Sequence, residues 1–363
     1  MNKGILNGVE CGRPVTKAVL APPVSLMQYL LFTGALLIGN PAAAGSDHQT
    51  PLVGAGSASL RPMIKGEVLA HQSGVRAEVK EAHMNYAYET LRIVVKDGVV
   101  VVTIANPPLN LLDAKLLIDL DSFAAAVAND QNVKVIVFES RDPDFFVPHG
   151  DMGFVDDPAS FAALAIGTDQ DQRLNPMQRL FERIRRLPQV TIGKLAGRAR
   201  GGGAELLQAM DMRFASLERG YLAQMEAPTG IIPGAGGTVY LPRLVGRARA
   251  IEIVLGADLF DAATAERYGW INRALPDAEL DTFVQRLSRN IARLPDGVIG
   301  AAKSALDANY GDPTDALLEQ NRLLGETFKQ PAAARLTRQA LKKGAQTREG
   351  ERNLEAILHD LGR

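Results

Sequence analysis

The stretch that decides the fold runs from Gly197 to Asp211 and reads GRARGGGAELLQAMD. Glycine loses more backbone entropy on folding than any other residue, so three in a row indicate a sharp turn or a close approach to a ligand. A strand over residues 190–196 precedes the glycines, and a helix over residues 204–210 follows them. The unpaired N–H groups at such a helix N-terminus can stabilise negative charge on a carbonyl oxygen. Tight packing of backbone against backbone is the structural alternative.

Two glutamates lie beside glycine-rich turns. Glu205 follows the first turn, and Glu226 precedes a second one over residues 230–238, GIIPGAGGT. Carboxylates are rarely buried without a partner or a chemical task, so the pattern indicates a site in which two acids transfer protons. A phosphate site is the weaker interpretation, because no Gly-Lys-Ser/Thr follows and neither glycine cluster fits G-x-G-x-x-G.

The composition excludes several classes of protein. The 363 residues are 46% hydrophobic and 22% charged, which is ordinary for a soluble globular protein. Lys and Arg number 40 against 41 Asp and Glu, so charge gives no reason to expect a nucleic acid or an anionic membrane surface as partner. One cysteine excludes an internal disulfide framework and a cysteine metal cage, and the five histidines are scattered, so no metal site is expected.

The N-terminal segment resembles a leader. Residues 18–46 carry no charge, follow three basic residues and contain Ala42-Ala43-Ala44, as a secretory signal peptide does. Prolines within the run make a stable membrane span unexpected. We expect residues 1–84 to be a signal-like or disordered leader, with Met63 or Met84 as the alternative start. The predicted location is cytoplasmic, or exported if the signal at about 18–44 is genuine.

Strands alternate with helices after residue 88, which favours an α/β fold with parallel strand pairing. Asp97-Gly98 between two apolar runs predicts a hairpin of residues 91–96 and 99–104. We expect an α/β core over residues 85–250 and a helical region over 251–363 that serves packing and oligomerisation. Further predicted helices cover 112–128, 176–187, 248–255, 262–268, 277–294, 297–308 and 315–328, with a helix-prone tail over 336–363; strands cover 133–138 and 212–215, and a loop covers 142–158.

Five segments together resemble one known family, the enoyl-CoA hydratase/isomerase (crotonase) superfamily. They keep the family's order and spacing over residues 88–303. The segments are 106–110 (NPPLN), 145–152 (FFVPHGDM), 197–211, 224–238 (QMEAPTGIIPGAGGT) and 262–272 (AATAERYGWIN). The resemblance implies a β-β-α spiral core with a helical C-terminal region and a homotrimer or dimer of trimers. It also implies an acyl-CoA substrate, with coenzyme A as part of the thioester and no bound cofactor.

The resemblance also assigns roles to residues. The N–H groups of Gly150 and Gly202 would hold the thioester carbonyl, Glu226 would be the main acid/base, and Glu205 would orient and activate a water. The reaction implied is syn hydration of a 2-enoyl-CoA to a 3-hydroxyacyl-CoA. The implied substrate-binding residues are Pro108, Asn110, Pro148, His149, Asp151, Gly201, Pro233 and Gly234.

Departures from the family pattern leave alternatives open. Met225 replaces a proline before the second glutamate, and Arg198 and Arg200 stand where apolar residues are commoner. These arginines either form salt bridges within the fold or contact an acidic acyl group or a CoA phosphate. Double-bond isomerisation, thioester hydrolysis and a non-catalytic acyl-CoA-binding role are the alternative functions.

Three other features have structural interpretations. We interpret the basic run of Arg183, Arg185 and Arg186 as a solvated helix face, because short charge runs commonly are. Trp270 is predicted to belong to the core. His149 is expected to line the pocket or to cap the loop, with a direct catalytic role as the alternative.

Overall fold

A computed structural model describes residues 86–361 of the chain. The predicted leader, Cys11 and the histidines His48, His71 and His83 therefore lie outside the described residues. Within residues 86–361, no helix combines the length and apolar character needed to cross a bilayer. That same part of the chain holds no group of three or more His, Cys, Asp or Glu side chains placed to bind a metal ion.

The strands begin with the predicted hairpin. Asp97 and Gly98 both take positive φ angles, 51° and 76°, as the two central residues of a tight hairpin turn require. The strands of the described chain are β1 Leu91–Lys96, β2 Val99–Ile104, β3 Val135–Ser140, β4 Phe145–Val147, β5 Val190–Leu195, β6 Arg198–Arg200, β7 Met212–Ser216, β8 Tyr221–Ala223, β9 Phe260–Asp261 and β10 Arg273–Leu275.

The helices follow the predicted order. They are α1 Ala114–Val127, α2 Gly153–Asp156, α3 Pro158–Ala162, α4 Pro176–Arg185, α5 Gly202–Gln208, α6 Gly237–Val245, α7 Arg247–Gly256, α8 Ala262–Tyr268, α9 Asp277–Ala292, α10 Val298–Asp307, α11 Thr314–Phe328, α12 Pro331–Lys342, α13 Arg348–Arg352 and α14 Leu354–His359. In α1, Asp113 caps the N-terminus by accepting the Leu116 N–H, and the apolar face predicted from the spacing is buried.

Successive strands alternate between two sheets. The larger sheet has the order β1-β2-β3-β5-β7-β10 and is parallel from β2 onward. The smaller sheet has the order β4-β6-β8-β9, with β4, β6 and β8 parallel. From β3 to β8, consecutive strands therefore lie alternately in the larger and the smaller sheet. This arrangement confirms the predicted α/β class and its spiral core.

The prediction of an uninterrupted loop over residues 142–158 is wrong. That segment contains β4, a strand of three buried residues, and the short helix α2. The partner strand β6 was also not predicted. A three-residue strand is too short for alternation of apolar and polar residues to reveal it, and only pairing with its neighbours holds it in place.

Only part of the basic run at the end of α4 is the solvated face that was predicted: Arg186 is 56% exposed, whereas Arg183 and Arg185 pack against other elements. The Arg183 side chain is 13% exposed, and its Nε lies 2.8 Å from Asp121 Oδ1. The guanidinium carbon of Arg185 lies 3.4 Å from the centre of the Tyr240 ring, a cation–π contact. Tertiary contacts thus bury charges that the local sequence presents as a surface. The prediction that Trp270 belongs to the core is confirmed, because its side chain is fully buried.

Candidate active site

The triple glycine connects β6 to α5, and its members have different tasks. Gly201 has a φ of +47°, and a Cβ there would lie 2.6 Å from Glu226 Oε1. A Cβ at Gly203 would lie 2.1 Å from the carbonyl oxygen of Val147. Gly203 therefore allows α5 to pack closely on β4, which is the backbone packing expected as the structural alternative. Gly201 instead leaves room for the Glu226 carboxylate.

The backbones of Gly150 and Gly202 lie close together. Gly202 is the first residue of α5, so its N–H has no partner within the helix. Leu112 bonds to the His149 carbonyl oxygen (3.0 Å) and accepts the Asp151 N–H (3.2 Å), so the N–H of Gly150 between them points away from Leu112. A Cβ on Gly202 would lie 3.6 Å from the Gly150 nitrogen, so the backbones of these two residues lie next to each other.

Glu205 is buried on α5 and held by backbone. Its Oε1 accepts the N–H groups of Ala235 (2.8 Å) and Gly237 (2.6 Å), which belong to the second glycine-rich turn. Burial raises the pKa of Glu205 to about 7, although these N–H groups act in the opposite direction. The first carboxylate is thus fixed in position and titrates near neutral pH.

Glu226 has fewer partners. It is 9% exposed, and its Oε2 is buried without a hydrogen-bond partner among the described residues. Burial, and secondly the charge of Glu205, raise the pKa of Glu226 well above its ordinary value. The two carboxyl groups titrate as a pair, because ionisation of one raises the pKa of the other.

These groups open onto a cavity of about 140 Å³. Both glutamates line it, together with His149, Gly150, Asp151, Gly201, Gly202 and Gly234. The rest of the wall is mainly apolar: Met152, Phe154, Val155, Phe161, Met177, Ile231, Ile232, Leu324 and Phe328. No Lys or Arg occurs among the lining residues of the described chain.

The other predicted substrate-binding residues do not line this cavity. Asn110 is buried, and its amide group accepts the Asn106 N–H (2.7 Å) and donates to Ser140 Oγ (2.8 Å). Pro233 offers its carbonyl oxygen to Gln320 Nε2 (2.8 Å). Neither they nor Pro108 and Pro148 belong to the cavity wall.

A buried ionic network from the C-terminal helices was not predicted. His149 Nε2 lies 3.0 Å from Glu351 Oε1, and Arg200 contacts both Glu351 (3.3 Å) and Glu355 (2.6 Å). Arg200 is fully buried and absent from the cavity wall, so the salt-bridge interpretation holds for this arginine. No local pattern reveals these pairs, because 202 positions separate His149 from Glu351.

Thr337 on α12 was also missed. Its side chain lines the cavity, and its buried Oγ1 has no hydrogen-bond partner among the described residues. In the sequence it is one more threonine in a charged helical tail.

Comparisons with known proteins place the chain beside members of one family. A sequence model of the family described as enoyl-CoA hydratase/isomerase matches residues 95–348. The chain is 30% identical to a crotonyl-CoA hydratase of Syntrophomonas wolfei over 230 residues, which are 63% of this chain and 85% of that protein. It is 27% identical to a short-chain-enoyl-CoA hydratase of Clostridium acetobutylicum over 239 residues, 65% of this chain and 88% of that protein. A crystal structure of a candidate enoyl-CoA hydratase from Streptomyces avermitilis shares 50% identity and a TM-score of 0.73, covering 76% of this chain and all of that one.

Proposed function

The chain belongs to the enoyl-CoA hydratase/isomerase family, and from that premise we propose that it adds water to the double bond of a 2-enoyl-CoA. The observation that carries the proposal is one cavity lined by Gly150, Gly202 and the buried Glu205 and Glu226. The product is a 3-hydroxyacyl-CoA. Coenzyme A enters as part of the substrate, and the reaction needs no further cofactor.

The N–H groups of Gly150 and Gly202 act on the thioester carbonyl. The backbones of these two residues lie next to each other, and α5 adds the partial positive charge of its N-terminus. Negative charge grows on the carbonyl oxygen as water attacks C3, because conjugation passes electron density from the double bond to that oxygen. Each preorganised donor of this kind contributes about 3–4 kcal/mol to the transition state.

The glutamates divide the proton transfers. Two N–H bonds favour the carboxylate form of Glu205, whereas the unpartnered oxygen of Glu226 favours the protonated acid. The oxygen of water bonds to C3, its lost proton passes to Glu205, and Glu226 delivers a proton to C2. The pair therefore still carries one proton after the reaction, and exchange restores the starting arrangement. Positioned proton transfer contributes about 10²–10⁴-fold.

The cavity wall favours an uncharged, apolar acyl group. Two carboxylates face the space, no Lys or Arg of the described chain lines it, and aromatic and aliphatic side chains form the remainder. A second carboxylate on the acyl chain would be buried without a cation, which is costly.

The C-terminal region has an exposed apolar face. Helix α10 buries none of its residues within the described chain, and Leu306 and the nearby Tyr310 are each more than 60% exposed. We propose that this helical region, residues 251–363, packs between subunits of a homotrimer or a dimer of trimers. Sedimentation velocity measures that state. We place the enzyme in the cytoplasm, where acyl-CoA thioesters are supplied.

Turnover of crotonyl-CoA by the full chain tests the proposal. Hydration removes the absorbance of the conjugated enoyl thioester and gives 3-hydroxybutyryl-CoA, which mass spectrometry identifies. Release of free coenzyme A would instead show a hydrolase, and migration of the double bond in a 3-enoyl-CoA would show an isomerase. Binding without any turnover would show an acyl-CoA-binding subunit. Each of these three results would overturn hydration.

A further inference from the structure

We propose that Glu351, on the C-terminal helix α13, is a positioning residue that fixes the two N–H donors relative to each other. The inference rests on the proposed function, because it takes Gly150 and Gly202 as the donors to the thioester carbonyl. Glu351 does not line the cavity, so any effect on the reaction passes through the residues that it holds.

One carboxylate group joins the two chain segments that carry the donors. Glu351 Oε1 lies 3.0 Å from His149 Nε2, and Oε2 lies 3.3 Å from Arg200 Nη1. His149 directly precedes Gly150, and Arg200 lies two residues before Gly202. The strands β4 and β6, which lead into these segments, are already parallel neighbours. Glu351 links the two segments again at the C-terminal ends of β4 and β6, next to Gly150 and Gly202.

The His149 ring contacts both the Gly150 carbonyl group and the Glu351 carboxylate. Its Nδ1 lies 2.6 Å from the Gly150 carbonyl oxygen, while Nε2 faces the Glu351 carboxylate. A carbonyl oxygen and a carboxylate only accept hydrogen bonds, so both ring nitrogens face acceptors. Burial favours neutral Glu351, but the His149 charge and hydrogen bond, together with the Gln346 N–H and Arg200, lower the pKa of this carboxyl group.

Helix α13 is itself fastened to the same loop. The Gln346 N–H donates to Glu351 Oε1 (2.8 Å), and Gln346 Nε2 donates to Asp151 Oδ1 (2.9 Å). Arg348 Nη1 lies 2.7 Å from Asp144 Oδ2, just before β4. The loop that carries Gly150 is therefore held from both sides by residues of one short C-terminal segment.

A buried ion network of this kind fixes the relative positions of its members more than it stabilises the fold. Desolvation of buried charges offsets much of their attraction, so such a network is weak evidence of net stabilisation. Loss of one member, in contrast, leaves its partners as buried charges without compensation. At Glu351 the unpaired partners would be His149 and Arg200, one beside each donor.

Glu351→Gln in the full-length enzyme tests the proposal, with Glu349→Gln as the matched control. Glu349 lies on the same helix, but it is exposed. We expect kcat for crotonyl-CoA to fall about 10–100-fold in Glu351→Gln, because a displacement of about 1 Å costs that much. We expect KM to stay within about 3-fold, since ground-state binding is unchanged. The control should keep kcat within about 3-fold.

Imidazole nitrogen NMR provides a readout that does not need activity. The His149 signals, assigned by their loss in His149→Gln, should show two protonated nitrogens in the wild type and an altered ring in Glu351→Gln. Glu351→Asp, which keeps the charge, should recover part of kcat if Glu351→Gln is unstable. Wild-type kcat in folded Glu351→Gln, equal losses in both glutamine variants, or an unchanged His149 spectrum would overturn the proposal. If the wild type hydrates no enoyl-CoA, the proposed function fails, while the spectra still decide whether Glu351 holds His149.

Discussion

Replacing Glu205 by glutamine should flatten the loss of stability that the enzyme undergoes as the pH rises from about 4.5 to about 7. Burial raises the pKa of Glu205 from an ordinary value of 4.5 to about 7 in the folded protein. A raised folded pKa means that the stabilising contribution is fully present below pH 4.5 and is lost as the pH rises through about 7. Glutamine does not titrate, so the variant lacks this contribution to the pH dependence.

Linkage sets the size of the effect. The difference between 4.5 and about 7 corresponds to roughly 3 kcal/mol of unfolding free energy by about pH 8. The Gln side chain can still accept the Ala235 and Gly237 N–H groups, but its own amide hydrogens need an acceptor in a buried site. That cost of about 1–3 kcal/mol is the same at every pH. The change in slope with pH, not the absolute stability, is therefore the quantity to compare.

Urea unfolding of the full-length proteins at about pH 5 and about pH 8 measures this slope. The exposed Glu279→Gln on α9 is the matched control, because it removes the same charge from the surface. The wild type and the control should lose roughly 3 kcal/mol more than Glu205→Gln between the two pH values. Equal losses in all three proteins would refute the assignment of a buried, perturbed carboxyl group at residue 205.

Three further predictions concern the glycines and the cavity. Gly202→Pro deletes a proposed N–H donor at a helix position that tolerates proline. Its kcat should be about 10²–10³-fold below that of Gly202→Ala, which keeps the N–H. Equal kcat values in the two variants would contradict the donor role of Gly202. Gly203→Ala places a Cβ 2.1 Å from the Val147 oxygen and should destabilise the fold by at least about 1–3 kcal/mol in thermal unfolding, while Gly300→Ala, which meets nothing within 4 Å, should not. Glutaconyl-CoA, which carries a second carboxylate, should show a kcat/KM at least about 100-fold below crotonyl-CoA, and comparable values would contradict an uncharged acyl site.

Local chemistry made the main elements of the fold predictable. Asp97-Gly98 supports a two-residue hairpin by its own positive φ angles, and α1 shows its buried face in the spacing of six apolar residues. The glycine-rich turns beside Glu205 and Glu226 were informative, because several glycines together indicate a place where the backbone comes close to a ligand or to another segment. The structure places both carboxyl groups on one cavity wall.

The parts that were not predictable depend on distant contacts. The strands β4 and β6 have three residues each and are held by their pairing in the smaller sheet. Arg200 could be interpreted either as a ligand contact or as a salt bridge, and the choice depended on Glu351, 151 positions away. The burial of Arg183 likewise depends on Asp121, which approaches it only after α1 and α4 pack together. No window of neighbouring residues contains that information.

The most direct test of the central claim is the turnover of crotonyl-CoA by Glu226→Gln, measured beside its affinity for the same thioester by calorimetry. The substitution keeps the shape of the side chain but removes the proton that the mechanism delivers to C2. The account predicts a fall in kcat of about 10²–10⁴-fold, with the dissociation constant changed by less than about 3-fold. A folded variant that hydrates crotonyl-CoA at the wild-type rate would contradict it.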